Sequence, residues 1–220
     1  MIRHLLLDLD NTLYPASGAM DEGITNRMLD FVARWLAVPL EEAKKLRVEG
    51  LKSCGTTLEW LRTRHGLTDM DAFFEAVHPE SEIDELTEDA KLRPYLLSLG
   101  LPMTLLTNAP MAHATRVLDF FNIKDIFTGV YDLTFHNGKG KPHASSFLDT
   151  LDAAGFSVAE TLFVDDLPKY CRGYQAIGGK AVLVDEQDKY ADIAQAEGFG
   201  RIASIYGLAD LLKTDGYCAG

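Results

Sequence analysis

The chain has 220 residues, 47% of them hydrophobic and 25% charged, a balance that excludes a disordered, collagen-like or low-complexity protein. Lysine and arginine total 21 against 33 aspartates and glutamates, a formal net charge of −12, so a nucleic-acid polymer is repelled and a small anionic ligand needs locally placed cations. No apolar run approaches the ~20 residues of a membrane span. The stretch MIRHLLL runs straight into acidic residues and reads as a strand, not as a secretory signal. Cys54, Cys171 and Cys218 show no metal-ligand spacing and read as small packing residues of a reduced, cytoplasmic chain.

In chain order, Ile2 to Leu9 is a short apolar run suited to a strand buried on both faces. From about Asp21, a candidate cap, the period becomes helical: Ile24, Met28, Phe31, Val32, Trp35 and Leu36 form a stripe that reads as helical core. Glu41 to Leu51, Thr57 to Arg64 and Asp69 to Val77 continue as helices, punctuated by Gly55, Gly66 and Pro79. Alternation follows: strands at Met103 to Leu106, Gly129 to Leu133, Thr161 to Val164 and Ala181 to Val184, and helices at Ala112 to Phe121, Ala144 to Ala154, Lys169 to Ile177 and Ser204 to Leu212. This predicts a Rossmann-like α/β fold, a parallel sheet with helices on both faces. The expected division is residues 1–15 and 89–220 as the core, with residues 16–88 a small helical cap inserted after the first strand.

Ligands of open α/β sheets gather at the carboxyl ends of strands. Those positions carry Asp8, Asp10, Asn11 and Thr12 after the first strand, Thr107 and Asn108 after the second, and Asp165 and Asp166 after the fourth. A Gly-Lys-Gly-Lys-Pro loop adds Lys139 and Lys141. Two like charges ~4 Å apart repel by about 4 kcal/mol at an effective dielectric near 20. Gathered aspartates therefore need a cation, raised pKa values, or both. An all-oxygen set favours Mg²⁺ over zinc.

These residues bring a resemblance. Asp8-Leu9-Asp10-Asn11-Thr12 matches the DxDxT motif of the haloacid dehalogenase-like hydrolases. Thr107-Asn108, Lys141-Pro142 and Val164-Asp165-Asp166 match the second, third and acidic fourth motifs, in family order over nearly the whole chain. More narrowly, DLDNTLYP, CGTTLEWL and LLTNAPMAHATRVLDFF resemble the pyrimidine 5′-nucleotidase branch. The resemblance implies that Asp8 is a nucleophile forming an aspartyl-phosphate, and that Asp10 is the general acid and base. It implies Mg²⁺ on Asp8, the Asp10 backbone carbonyl and Asp166, with Asp165 further out or exchanging roles with Asp166. Thr107 and the Asn108 amide would hold phosphate oxygens, and Lys141, with Lys139 as the alternative, would neutralise charge.

The chain departs from the family pattern where Leu167 and Tyr170 replace polar residues of the fourth motif, and where His143-Ala144 follow Lys141-Pro142. Arg47, Thr56 and Thr57 are candidate cap contacts to substrate. No histidine has metal-ligand spacing, and His113 reads as a packing or surface residue. Asn137-Gly138 reads as a turn and Gly178-Gly179 as a helix stop. The expected activity is Mg²⁺-dependent hydrolysis of a small phosphorylated metabolite, a nucleoside 5′-monophosphate with pyrimidine preferred, by a monomer or homodimer that engages no membrane. The alternatives are a phosphatase or phosphomutase for another metabolite such as a sugar phosphate or phosphoglycolate, a 2-haloacid dehalogenase, and a non-catalytic binding protein.

Overall fold

The computed structural model describes residues 1–214, so Cys218 lies outside the described residues. Six strands form one parallel sheet, and each is short and largely apolar. The elements follow as β1 (His4–Leu7), α1 (Ala19–Leu36), α2 (Leu40–Gly50), α3 (Thr57–His65), α4 (Met70–Val77), a 3₁₀ segment (Glu80–Glu85) and α5 (Leu92–Ser98). Then come β2 (Met103–Leu106), α6 (Met111–Phe120), β3 (Phe127–Tyr131), α7 (Ala144–Ala154), β4 (Thr161–Asp165), α8 (Pro168–Gln175), β5 (Lys180–Val184), α9 (Ala191–Glu197), β6 (Gly200–Ile202) and α10 (Leu208–Leu211).

Successive strand side chains point to opposite faces, and this alternation builds two cores. Leu5, Leu7, Leu105, Leu162 and Val164 pack with Leu96 of α5, Val117 and Leu118 of α6 and Leu208 of α10. Leu6, Leu106, Phe163 and Leu183 pack on the other face with Phe147 of α7, Tyr174 of α8 and Ala194 of α9. Leu5, Leu6 and Leu7 are all fully buried, worth about 1.5–3 kcal/mol each. The expected parallel sheet with helices on both faces is therefore the observed fold.

Between β1 and β2 the described chain is helical and carries a third core: Phe31, Val32, Leu58, Trp60, Leu61, Phe73, Phe74 and Val77. Local chemistry sets these helices. Thr56 accepts from the Glu59 amide at 3.0 Å and Asp69 from the Ala72 amide at 3.0 Å, so each caps a helix start. Gly66, at φ +70°, closes α3 in the left-handed conformation.

Several sequence expectations are corrected. Asp21 does not cap α1 but sits within its first turn, where its carboxylate accepts from Asn11 Nδ2 at 2.9 Å. Trp35 is 43% exposed, so only the Phe31 side of that stripe is core. The helix expected over Ser204 to Leu212 divides into a 3₁₀ turn (Ile205–Gly207) and α10. Three elements carry too little pattern to read from sequence. α5 has Pro94 inside its first turn, α9 is short and mixed, and β6 is a three-residue edge strand.

Candidate active site

The strand order is β3-β2-β1-β4-β5-β6. The chain winds outward from β1 through β2 to β3, then returns to lay β4 against the other side of β1. The order reverses between β1 and β4, the place where open α/β sheets form a crevice. Asp8 follows β1, Asp165 ends β4, and Leu7 pairs with Val164 in register, so the acidic residues meet although 157 positions separate Asp8 from Asp165.

Lys141 reaches this point from the loop before α7. Its Nζ lies 2.6 Å from Asp8 Oδ1 and 2.6 Å from Asp165 Oδ2, with the side chain only 1% exposed. The ammonium also sits 5.0 Å from the Tyr170 ring centre and 5.6 Å from that of Phe163. Tyr170, at the position where the family carries a polar residue, thus packs an aromatic face on the lysine. Lys139, the alternative, is exposed and outside this cluster.

One carboxylate oxygen each of Asp8, Asp165 and Asp166 lies within 4.8 Å of the others. Burial raises Asp8, Lys141 pulls it back, and Asp165 and Asp10 push it up again, leaving it at about 7. Burial and then the repulsion of Asp165 and Asp8 carry Asp166 to about 9. Burial opposes the charge on Lys141, but Asp165 and Asp8 overcome it and hold the ammonium well above the ordinary lysine range. One lysine therefore leaves this cluster short of positive charge. Asn11 Oδ1 and Thr12 Oγ1, in the same turn, are buried without a hydrogen-bond partner. A surplus of buried oxygen donors fits a hard divalent cation such as Mg²⁺. Asp165 already accepts from Lys141 Nζ on Oδ2 and from the Leu167 amide on Oδ1 at 2.9 Å, which leaves Asp166 as the better direct ligand.

Of the remaining sequence candidates, Thr107 is buried beside the site, its hydroxyl accepting from the Ala109 amide at 3.0 Å. The Asn108 side chain brackets Lys141: Oδ1 accepts from the Lys141 amide at 2.8 Å and Nδ2 donates to its carbonyl at 3.0 Å. Arg47 Nε donates to Thr57 Oγ1 at 2.9 Å, and the Thr56 hydroxyl is engaged as a helix cap. Both of these bonds stay within the helical insertion, and it is the adjacent Gly55 and Glu59 that touch the core. The Gly55 carbonyl accepts from Lys169 Nζ at 2.7 Å, and His143 Nε2 meets Glu59 at 2.9 Å. A Cβ on Gly55 would stand 2.8 Å from the Lys141 carbonyl, so glycine permits this close approach.

Sequence reasoning missed the other half of the site. His113, expected in a packing or surface role, is fully buried, with Nε2 2.7 Å from Asp10 Oδ1 and Nδ1 2.8 Å from Glu82 Oε1. The Tyr14 hydroxyl donates a very short hydrogen bond to the same Asp10 oxygen. Burial would raise Asp10, but the cationic ring of His113 and its hydrogen bond, with Tyr14, hold it below the ordinary carboxylate value. Burial would lower His113; Asp10 and Glu82 carry it instead to about 10. Glu82 is fully buried, meets His78 Nδ1 at 3.0 Å, and accepts from Arg116 Nη2 at 2.5 Å, so its charge is already balanced. The one sequence signal was His113 on the same α6 face as Val117, a polar residue in an apolar stripe.

Among the described residues no helix is long and apolar enough to cross a membrane. The model of one hydrolase family matches residues 2–178. Among solved structures, the chain is similar to a HAD phosphatase from Thermococcus onnurineus at TM-score 0.66 and 18% identity, over 96% of this chain and 98% of that one. A putative HAD-hydrolase from Bacillus subtilis bound to magnesium gives TM-score 0.65 and 15% identity, over 97% and 99%. An L-2-haloacid dehalogenase from Xanthobacter autotrophicus with chloropropionic acid covalently bound gives 0.62 and 15%, over 98% and 100%. Identities this low carry the fold alone. The matched family model, spanning most of the sheet and every motif described above, shows that the chain belongs to the haloacid dehalogenase-like hydrolases.

Proposed function

We propose that this hydrolase is a Mg²⁺-dependent phosphomonoesterase working through an aspartyl-phosphate on Asp8, with nucleoside 5′-monophosphates, pyrimidine preferred, as its substrate class. The observation that carries the reading is the pairing of two differently dressed carboxylates on one turn. Asp8 faces Lys141 and the acidic cluster, while Asp10 faces Tyr14 and His113. Separate neighbours let the two carboxylates take separate nucleophilic and proton-transfer roles. With no metal or phosphate bound their proton affinities run the other way, Asp8 raised to about 7 and Asp10 lowered, so a cation beside Asp8 and a phosphate beside Asp10 are what set the working order.

Asp8 attacks phosphorus as the ester oxygen leaves, and Asp10 supplies that oxygen with a proton. The dianionic phosphate of a bound substrate raises the proton affinity of Asp10 toward the acid form this step needs. Water then attacks the acyl phosphate, and Asp10, ionised again, takes its proton. Lys141 faces the charge on Asp8 and the phosphate, and Asn108 fixes its backbone. Asp8, Asp166 and the Asp10 backbone carbonyl would hold Mg²⁺, whose charge offsets the repulsion between nucleophile and phosphate. Residues 16–88 act as the cap, with Arg47, Thr56 and Thr57 near its contact with the core.

A dehalogenase reading is weaker because a halide leaves without a proton, so a second carboxylate set two positions after Asp8 and fixed by Tyr14 and His113 would have no proton to transfer. The pyrimidine preference rests on the resemblance of DLDNTLYP, CGTTLEWL and LLTNAPMAHATRVLDFF. Phosphate release from a panel of nucleotides, sugar phosphates and phosphoglycolate, with and without Mg²⁺, tests the reading. Fastest Mg²⁺-dependent release from pyrimidine 5′-monophosphates is expected. Phosphoryl transfer between hydroxyls without free phosphate would establish a mutase instead, and chloride release from 2-chloropropionate a dehalogenase.

A further inference from the structure

We infer that His113, held by Glu82, is a positioning residue that fixes the Asp10 carboxyl for proton transfer; this rests on the phosphomonoesterase reading. Both ring nitrogens of His113 are engaged by carboxylates, Nε2 with Asp10 Oδ1 at 2.7 Å and Nδ1 with Glu82 Oε1 at 2.8 Å. The ring can satisfy both only by donating from each nitrogen, which locks its orientation. Tyr14 donates to the same Asp10 oxygen, so both donors converge on Oδ1 and hold the carboxyl through that one atom. Glu82 is itself immobilised by Arg116 at 2.5 Å and His78 at 3.0 Å, and Arg27 of α1 stands 4.0 Å away. Arg27 also donates to the Val77 carbonyl at 2.7 Å. The orientation of Asp10 is thereby tied to α1, the end of α4 and the 3₁₀ segment, the elements leading into and out of the helical insertion. No bond to substrate is required of His113; it acts through Asp10.

The test compares two esters of similar size that differ in their need for a proton: benzyl phosphate, whose alkoxide must be protonated, and 4-nitrophenyl phosphate, whose phenolate leaves unaided. The kcat/KM reports the step up to ester cleavage. His113→Ala is expected to lower kcat/KM on benzyl phosphate by about 10²-fold, in the range of a general acid, and on 4-nitrophenyl phosphate by less than about threefold. His113→Gln, which can still donate to Asp10, is expected to recover at least about tenfold of the benzyl loss. Glu82→Gln should show the same leaving-group dependence more weakly, and with His113→Gln it decides the matter if the alanine variant does not fold. Equal loss on both esters, or no loss on either, overturns the inference while leaving the phosphomonoesterase standing. A wild type that cleaves neither ester nor any member of the phosphate panel overturns that reading and the inference with it.

Discussion

Replacing Asp8 by asparagine should abolish turnover and yet raise the stability of the metal-free protein. Asparagine is isosteric with a protonated aspartate, so the variant imitates the neutral state that burial favours at this position. The Asp8 carboxyl rises from an ordinary 3.8 to about 7 in the folded protein. At ~1.36 kcal/mol per pH unit this is about 4 kcal/mol of folding free energy withheld at pH 8. The sign follows from proton binding: the folded state holds the extra proton, so the contribution of Asp8 is fully present below the unfolded value and is lost as pH rises through about 7. The gap between variant and wild type is therefore small at pH 4 and widest near pH 8. Lys141 keeps Asp165 at 2.6 Å in the variant, so its charge is not stranded. For a chain of this length each kcal/mol moves the melting temperature by ~2–4 °C, giving an upper limit near 16 °C. Relaxation around a buried charge reduces that figure, and a rise of at least about 4 °C is expected. Thermal unfolding in EDTA across pH 4 to 8, beside a phosphate-release assay, makes the measurement. A variant that melts below wild type at pH 8, or by the same margin at every pH, refutes the electrostatic reasoning.

Four further outcomes follow from the same geometry. Asp10→Asn should lower kcat by about 10²–10⁴-fold while keeping the Mg²⁺-induced rise in melting temperature, because the backbone carbonyl is untouched; steady-state kinetics and thermal shift read both. EDTA should remove activity, and stabilisation by added Mg²⁺ should be greater at pH 8 than at pH 5.5, since protons compete for Asp8 and Asp166, whose folded values are about 7 and about 9. Lys141→Met leaves Asp8 and Asp165 buried without a counterion and should cost about 3–5 kcal/mol in denaturant unfolding at pH 8. At pH 5 the loss should shrink as the carboxyls take up protons. Gly55→Ala drives a Cβ to 2.8 Å from the Lys141 carbonyl, so backbone must shift there; it should raise KM and also lower the melting temperature, as substrate titrations and unfolding curves will show.

The legible part of this protein was the part governed by short-range pattern. Short apolar runs marked β1, β2, β4 and β5, though the run from Ile2 to Leu9 overstated β1, which spans His4–Leu7, and the helical period marked α1 to α4, α6 and α7. The acidic residues were recognisable because each follows such a run. α5, α9 and β6 escaped because a helix of seven residues or a strand of three gives periodicity too few repeats to register. Asn108 was expected to use its backbone amide, and its side-chain grip on Lys141 was invisible because the two lie 33 positions apart.

By itself, the sequence determined an α/β chain with carboxylates at the ends of two buried strands and a lysine in a loop between them, since strand identity and side-chain alternation are local properties. Which of those groups share charge was decided only in three dimensions. The reversal of strand order beside β1 brings Asp165 to Lys141, and the packing of α6 and the 3₁₀ segment brings His113 and Glu82 behind Asp10. Proton affinities depend on burial and on charges a few ångströms away, and neither quantity exists until the chain has closed on itself.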